Sequence, residues 1–508
     1  MSSDKATTER SLVKNSFFLF ARVSFNLVIS LYSSRLILNA LGFTDYGIYN
    51  VIGGIVTLGV FITNSMTMCT QRFLAFELGK TKNRISEIFS VSINIYIIML
   101  IAILITSEFF GVYIINNYLN IPTDKLDIAI SLFHLSILGF AINIMASPFN
   151  ALIIAFERLD VYTYFGIALS MIKLLLVFYL DPENTNNLII FGILMLIHSL
   201  FCLCIPILYV KMSNFKVNYK LNLDRKVYRE LLSYTSWSLL GNVASVSTQQ
   251  GVNILLNIFF GPLVNASKSL SNQIGAAVQN FGLNISGAIN PRIVKQYSRG
   301  DINEMLDLVY RGSKYSFLFV IFLTSPLFFY TKDILTIWLG EYPKYTELFV
   351  KLNIVNVLIN SYSSPIMNSI QATGRIKFYQ IAVSTVLFLN LPFSYLLLKY
   401  INKPEIIFYM MITISILAMH VRLVFFSRLF NEKVINFYKK VIIPTISTLI
   451  INYVLLKLIV VDYHLAINIL ICSISSMLIV LIFGTNKKEK LFLINGIKKW
   501  LKIKKLDC

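Results

Sequence analysis

The sequence predicts an all-α polytopic membrane protein: 14 transmembrane helices, arranged as two six-helix lobes related by a parallel repeat plus two C-terminal helices. Three observations predict it. The 508 residues are 56% hydrophobic and only 14% charged, against about 25% charged in a soluble domain. The apolar residues come in runs of roughly the 20 residues that cross a bilayer. Short motifs recur at a shift of 217–220 residues.

The first span, 14–39, follows Lys5, Arg10 and Lys14. It carries no small-residue cleavage site, so it reads as a retained helix and not a signal peptide. The stretch ALGFTDYGIYNVIGGIV (40–56) then turns the chain into span 2, 46–70. Gly42 suits the left-handed conformation that ends a helix, and Thr44 or Asp45 is the expected cap of the next one. Gly47, Gly53 and Gly54 remove side chains, which lets that helix approach a neighbour closely. This corner is either a plain tight hairpin or the outer gate of a transporter. Spans 3 to 6 fall at 88–114, 128–156, 161–180 and 187–210. A basic gap, KMSNFKVNYKLNLDRKVYRE, follows. Spans 7 to 14 fall at 232–260, 264–290, 315–331, 348–372, 378–398, 406–427, 441–459 and 464–484, before a basic tail from Lys487. The expected division is an N-lobe at 1–212, a C-lobe at 213–430, and spans 13 and 14 with the tail at 431–508.

The basic residues give the orientation. Most of the 45 Lys and Arg sit in the N-terminal segment, the gaps after even-numbered spans and the tail, whereas Asp and Glu divide almost evenly. The positive-inside rule makes those segments, and both termini, cytoplasmic. The net charge of +20 thus reflects topology and attraction to anionic membrane lipid rather than nucleic acid. Cys69, Cys202, Cys204, Cys472 and Cys508 show no metal spacing.

The repeat aligns SPFNALIIAFER (147–158) with SPIMNSIQATGR (364–375), Arg72 with Arg292, and Gly42 with Gly261. A shift of six spans preserves direction through the membrane, so the lobes relate about the membrane normal. Spans 1 and 2 then correspond to spans 7 and 8, and all four are polar-striped. Span 1 carries Arg22, Asn26, Ser30, Ser33 and Ser34. Span 2 carries Asn50, Thr57, Asn64 and Gln71 at intervals of seven. Span 7 contains SVSTQQGVN with Gln249 and Asn253, and span 8 contains ASKSLSNQ with Lys268, Asn272 and Gln273. Span 10 adds Asn353, Asn356 and Asn360. Unsatisfied polar groups are costly in hydrocarbon, so these stripes imply an aqueous cavity or an extensive polar interface. Charges within the spans are basic: Arg22, Arg35, Lys173, Lys268, Lys351, Arg422 and Lys457, with Glu108 expected close to a span end. Lys351 and Lys457 read as snorkelling residues. Cations without matching carboxylates suit an anionic passenger, and guanidinium recognises phosphate through paired, charge-assisted bonds.

LGFTDYGIYNVIGG, SMTMCTQRFLAFELGK, IWLGEYP and ATGR resemble the oligosaccharide flippases (O-antigen and capsule) of the multidrug/oligosaccharidyl-lipid/polysaccharide exporter superfamily. The resemblance implies two six-helix lobes, alternating access, and movement of an undecaprenyl-pyrophosphate-linked oligosaccharide across the bacterial inner membrane. It also implies cavity cations on helix 1 and helix 8, for which Arg22 and Lys268 stand here; no helix 2 counterpart is found. On this reading Arg22, Arg35 and Lys268 attract the pyrophosphate, and Asn26, Asn50, Asn64, Gln249, Asn253, Asn272 and Gln273 contact sugars. A cation-coupled multidrug exporter is the alternative, and its coupling ion, proton or sodium, would ordinarily need a membrane carboxylate. A membrane enzyme is disfavoured because His134, His198, His420 and His464 have no evident acidic partner. No P-loop motif is present, so ATP is not the direct energy source. No cofactor is called for, and a monomer is expected.

Overall fold

The computed structural model describes residues 2–78, 84–181, 183, 184, 186–213, 215, 217–220, 224–459 and 464–485, with all their side chains except those of 2–24, 61, 233–245, 247, 283–285, 287, 288 and 291. Every regular element among them is helical. The first half comprises α1 (Ser2–Thr57), α2 (Val60–Leu78), α3 (Ile85–Asn117), α4 (Leu126–Ala155), α5 (Leu159–Val177) and α6 (Asn187–Met212). Then come α7 (Arg225–Phe260), α8 (Pro262–Ser298), α9 (Ile302–Phe329), α10 (Thr331–Leu339), α11 (Thr346–Ser361), α12 (Ser363–Ala372), α13 (Lys377–Phe388), α14 (Asn390–Tyr400), α15 (Ile406–Phe430), α16 (Val434–Phe437), α17 (Ile443–Ile459) and α18 (Leu465–Phe483). The basic tail from Lys487 lies outside the described residues.

Among the described residues, 10 segments are long and apolar enough to cross a membrane. Helices α7 and α8 are not among them although they run 36 and 37 residues, because their Ser, Asn, Gln and Lys lower the hydropathy. Predicted span 2 is carried by the end of α1 and by α2. Span 10 is split at Tyr362 into α11 and α12, and span 11 at Leu389 into α13 and α14. The short helix α10 corresponds to no predicted span.

Backbone conformation supports the repeat. Helix α1 is broken at Gly42, with φ 71° and ψ 175°, and α7 ends at Gly261, with φ 75° and ψ −176°. These near-identical left-handed corners are the aligned glycines. The second aligned motif behaves alike: Glu157 has φ 57° and Gly374 φ 70°, each just before its arginine. A residue with a Cβ is strained there, and the first copy tolerates what the second relieves with glycine. The carboxylate of Asp45, expected with Thr44 as a possible cap of the next helix, is ion-paired to Lys125.

The chain divides into two compact units: Met1–Leu270 with Trp338–Thr346 and Leu387–Ile407, and Ser271–Ile337 with Glu347–Val386 and Phe408–Cys508. In the first, Phe89, Tyr96, Leu152 and Val161 belong to a core between α2, α3, α4 and α5. Small residues bring α4 and α6 together: a Cβ on Gly192 would lie 2.9 Å from Leu132, and Asn143 Nδ2 donates to Ser199 Oγ at 2.9 Å. In the second unit, Asn452 Nδ2 and Ser476 Oγ both donate to the buried Ser325 Oγ, at 2.7 and 3.1 Å. These bonds tie the last two long helices, α17 and α18, to α9. Glu108, in the last third of α3, meets His134 Nδ1 of α4 at 3.3 Å. The sequence reading, which gave His134 no acidic partner, is corrected by this pair.

Candidate functional site

In the first unit the two repeat corners meet. A Cβ on Gly47 would fall 2.0 Å from the carbonyl oxygen of Pro262, so only glycine lets the chain after the Gly42 corner lie against the start of α8. Further along, the Gly54 face is filled by Gln250 Oε1 and Asn253 Nδ2, at 3.1 and 3.4 Å from where a Cβ would stand. Gly53, grouped with them by the sequence, faces open space: nothing lies within 4 Å.

Amides fill the seam that the glycines leave. Ser269 Oγ donates to Asn50 Oδ1 at 2.7 Å, and Asn50 Nδ2 donates back to the Tyr46 carbonyl at 2.6 Å. Lys268, 2% exposed, donates through Nζ to Asn253 Oδ1 at 2.7 Å and to the Gln249 carbonyl at 3.2 Å. Asn253 Nδ2 in turn donates to Gln250 Oε1 at 2.7 Å, and Asn265 Nδ2 donates to the Asn253 carbonyl at 2.7 Å. Lys268 is therefore held by neutral acceptors. A charge on it is costly there unless something negative shares the site.

The segment between α3 and α4 touches both corners. Lys125 pairs with Asp45 beyond the Gly42 corner, and the Asn120 backbone N–H donates to Asn257 Oδ1 at 2.8 Å, beside Gly261.

Asn50, Asn253, Lys268 and the Gln249 backbone are thus brought together. Asn26 is not among them: its Oδ1 accepts from Ser170 Oγ of α5 at 2.8 Å. Arg35 and Asn64 are exposed, and so is the Gln249 residue whose carbonyl holds Lys268. Lys173 is partly buried on α5, within electrostatic reach of Cys202 and His198 on α6. The side chain of Arg22 lies outside the described residues. Sequence reasoning missed Gln250, Asn257, Asn265 and Ser269. Their signal was spacing: Asn253 and Asn257 stand one turn apart on α7, and Asn265 and Ser269 one turn apart on α8.

Asn272 and Gln273 belong to the second unit. There Asn353 Nδ2 donates to the Ser271 carbonyl at 3.0 Å and lies 3.5 Å from Asn272 Oδ1. Gln279, Ser286, Asn360 and Ser364 line a small cavity of about 30 Å³, room for a water molecule or two.

Outside the spans, Asp224 caps α7. The backbone N–H of Lys226 donates to it, which holds its carboxyl below the usual range, and Arg84 reinforces this from 3.3 Å.

No protein-family model matches the sequence, and no curated protein matches it. Solved structures do. The chain aligns with a lipid II flippase, MurJ, in an inward closed conformation at a TM-score of 0.73 and 15% identity, over 96% of this chain and 100% of that one. The chain shares the fold of that protein. An all-helical, fourteen-span membrane protein, as the sequence predicts, is what this fold is. A multidrug resistance MATE family transporter of the MOP superfamily, inward-facing, aligns at a TM-score of 0.65 and 12% identity, over 81% of this chain and 98% of that one. A MATE in complex with MaL6 aligns at 0.54 and 13%, over 83% and 96%.

Proposed function

We propose that the chain is a flippase that carries an undecaprenyl-pyrophosphate-linked oligosaccharide, an O-antigen or capsule repeat unit, across the bacterial inner membrane by alternating access. One observation carries the reading: a fully buried lysine held among amides, with no carboxylate among its contacts, in a fold that matches a lipid flippase along nearly its whole length. Asn50, Asn253 and the other amides of the seam suit sugar hydroxyls. Arg22 and Arg35, on the same helix as the Gly42 corner, would meet the pyrophosphate, and Lys268 would join them when an anion displaces its two neutral acceptors. The contact of the Gly42 and Gly261 corners closes the outer end of the path in this reading. Opening it requires the Gly47–Pro262 and Asn50–Ser269 contacts to part. The basic segments support a cytoplasmic location for both termini, and the two lobes would move as 1–212 and 213–430.

The test is surface glycan in a deletion strain. Arg22→Ala with Lys268→Ala, in protein still present in the membrane, should abolish complementation; full complementation would reject the assignment. A drug exporter is the second reading, favoured by the multidrug transporters that share the fold. Those transporters leave about a fifth of this chain unmatched. Drug susceptibility measured in the same strains separates the two: the flippase reading requires that it does not change.

A further inference from the structure

Another buried cation, Arg422, belongs to the second unit. Arg422 is 7% exposed in the middle of α15. Its one described hydrogen bond runs from Nη1 to Ser363 Oγ at 3.2 Å. Its Nε–H is buried without a partner. Next to it is Tyr379 of α13, 1% exposed, whose ring packs edge-on to Phe425 at 5.7 Å. The Tyr379 hydroxyl is buried against the Arg422 guanidinium and is its side-chain partner, short of full hydrogen-bond geometry, and no acceptor for the Tyr379 proton is among its contacts. Ser363, 5% exposed, spends its oxygen as the acceptor for Arg422, so its own hydroxyl proton is free to donate.

The chemistry is one-sided. Three donors from α12, α13 and α15 sit around one positive charge, and no acidic side chain is among their contacts. A buried orphan donor costs about 1–3 kcal/mol, more when charged, and an uncompensated buried charge costs several. The Nε edge of a guanidinium is the half of the fork that binds an oxyanion in bidentate fashion. A water molecule would satisfy one donor but would not neutralise the charge. We infer that Arg422, Tyr379 and Ser363 form a binding site for a phosphate group, separate from the lysine seam of the first unit. The phosphate belongs either to an anionic phospholipid headgroup or to a soluble phosphate. The inference does not depend on which solute the protein transports.

The experiment uses the full chain in detergent and reads its melting temperature against two probes, inorganic pyrophosphate and short-chain phosphatidylglycerol, with a neutral glycolipid as control. A ligand that binds only the folded state raises the melting temperature with concentration. One of the two probes should do so, and which one does identifies the source of the phosphate. Arg422→Gln should weaken that response at least about tenfold, as expected for loss of a charge-assisted pair. Tyr379→Phe is the second variant, since Arg422→Gln risks the fold. It removes a hydroxyl whose proton has no acceptor and leaves the guanidinium in place, so the protein without ligand should melt close to wild type while its response to the probe weakens. No response to either probe, or a response unchanged in both variants, overturns the site. Glycan transport is not read, so that result leaves the flippase reading intact.

Discussion

Replacing Gly47 with alanine tests how tightly the two corners close. The added Cβ would stand 2.0 Å from the Pro262 carbonyl oxygen and 2.5 Å from its carbon, where ordinary contact begins at about 3.4 Å. Both are backbone atoms, so no side-chain rotation relieves the clash and the two segments must separate by more than an ångström. Overpacking of this kind costs about 1–3 kcal/mol. Charged wholly to the closed arrangement, that shifts its equilibrium about 5- to 150-fold toward the parted one. Ser269→Cys reports the shift, because Ser269 is bonded across the seam to Asn50. In a background with the native cysteines replaced, an impermeant thiol reagent applied from outside should label this cysteine at least about fivefold faster when Gly47→Ala is present. Gly53→Ala is the control: the same methyl on the same helix meets nothing within 4 Å and should leave the rate unchanged. Equal rates in the two alanine variants would refute the claim that this contact holds the outer end shut.

Other outcomes follow from the same geometry. Gly42→Ala and Gly261→Ala should each lower stability by about 1–2 kcal/mol, through the cost of a left-handed conformation for a residue with a Cβ; a thermal shift confined to one of them would deny the equivalence of the corners. Lys268→Met should keep the melting temperature near wild type or raise it, since exchanging a buried charge for an apolar side chain of similar size is often neutral or stabilising, while glycan transport falls at least about tenfold; unchanged transport would remove Lys268 from the site. The Asp224 carboxyl is held below 3.8 when folded, so its contribution is complete above that pH and is lost as the pH falls through the lower, folded value. Asp224→Asn should flatten that part of the acid-unfolding curve, and an unaltered curve would show that the cap is not what titrates.

Much of the fold is legible in the sequence because hydrocarbon enforces it. A run of twenty apolar residues has one stable conformation in a bilayer, and the Gly42 corner announces itself by composition. What the sequence hides is whatever a neighbouring helix decides. The break after Thr57 leaves Gly59 facing the Phe140 ring, 2.7 Å from where a Cβ would stand, and nothing local marks it. Tyr362 interrupts span 10 where its hydroxyl reaches Thr445 at 2.6 Å, a partner 83 residues away. The site divides in the same manner. Helical spacing put Asn50, Asn253 and Lys268 on polar faces, and those faces do meet. Asn26 lay on an equally good stripe but turned to Ser170, because a stripe shows that a helix has a polar neighbour without saying which. Arg422 was left without a role because its partners come from two other helices.

The most direct measurement is transport itself. Purified protein in vesicles, with a fluorescent undecaprenyl-pyrophosphate oligosaccharide in both leaflets, should bring the lipid-linked sugar within reach of a quencher or lectin added outside, and the Arg22→Ala, Lys268→Ala variant should move it no faster than empty vesicles. Equal rates for wild type, double variant and empty vesicles, from protein that folds and inserts, would contradict the account.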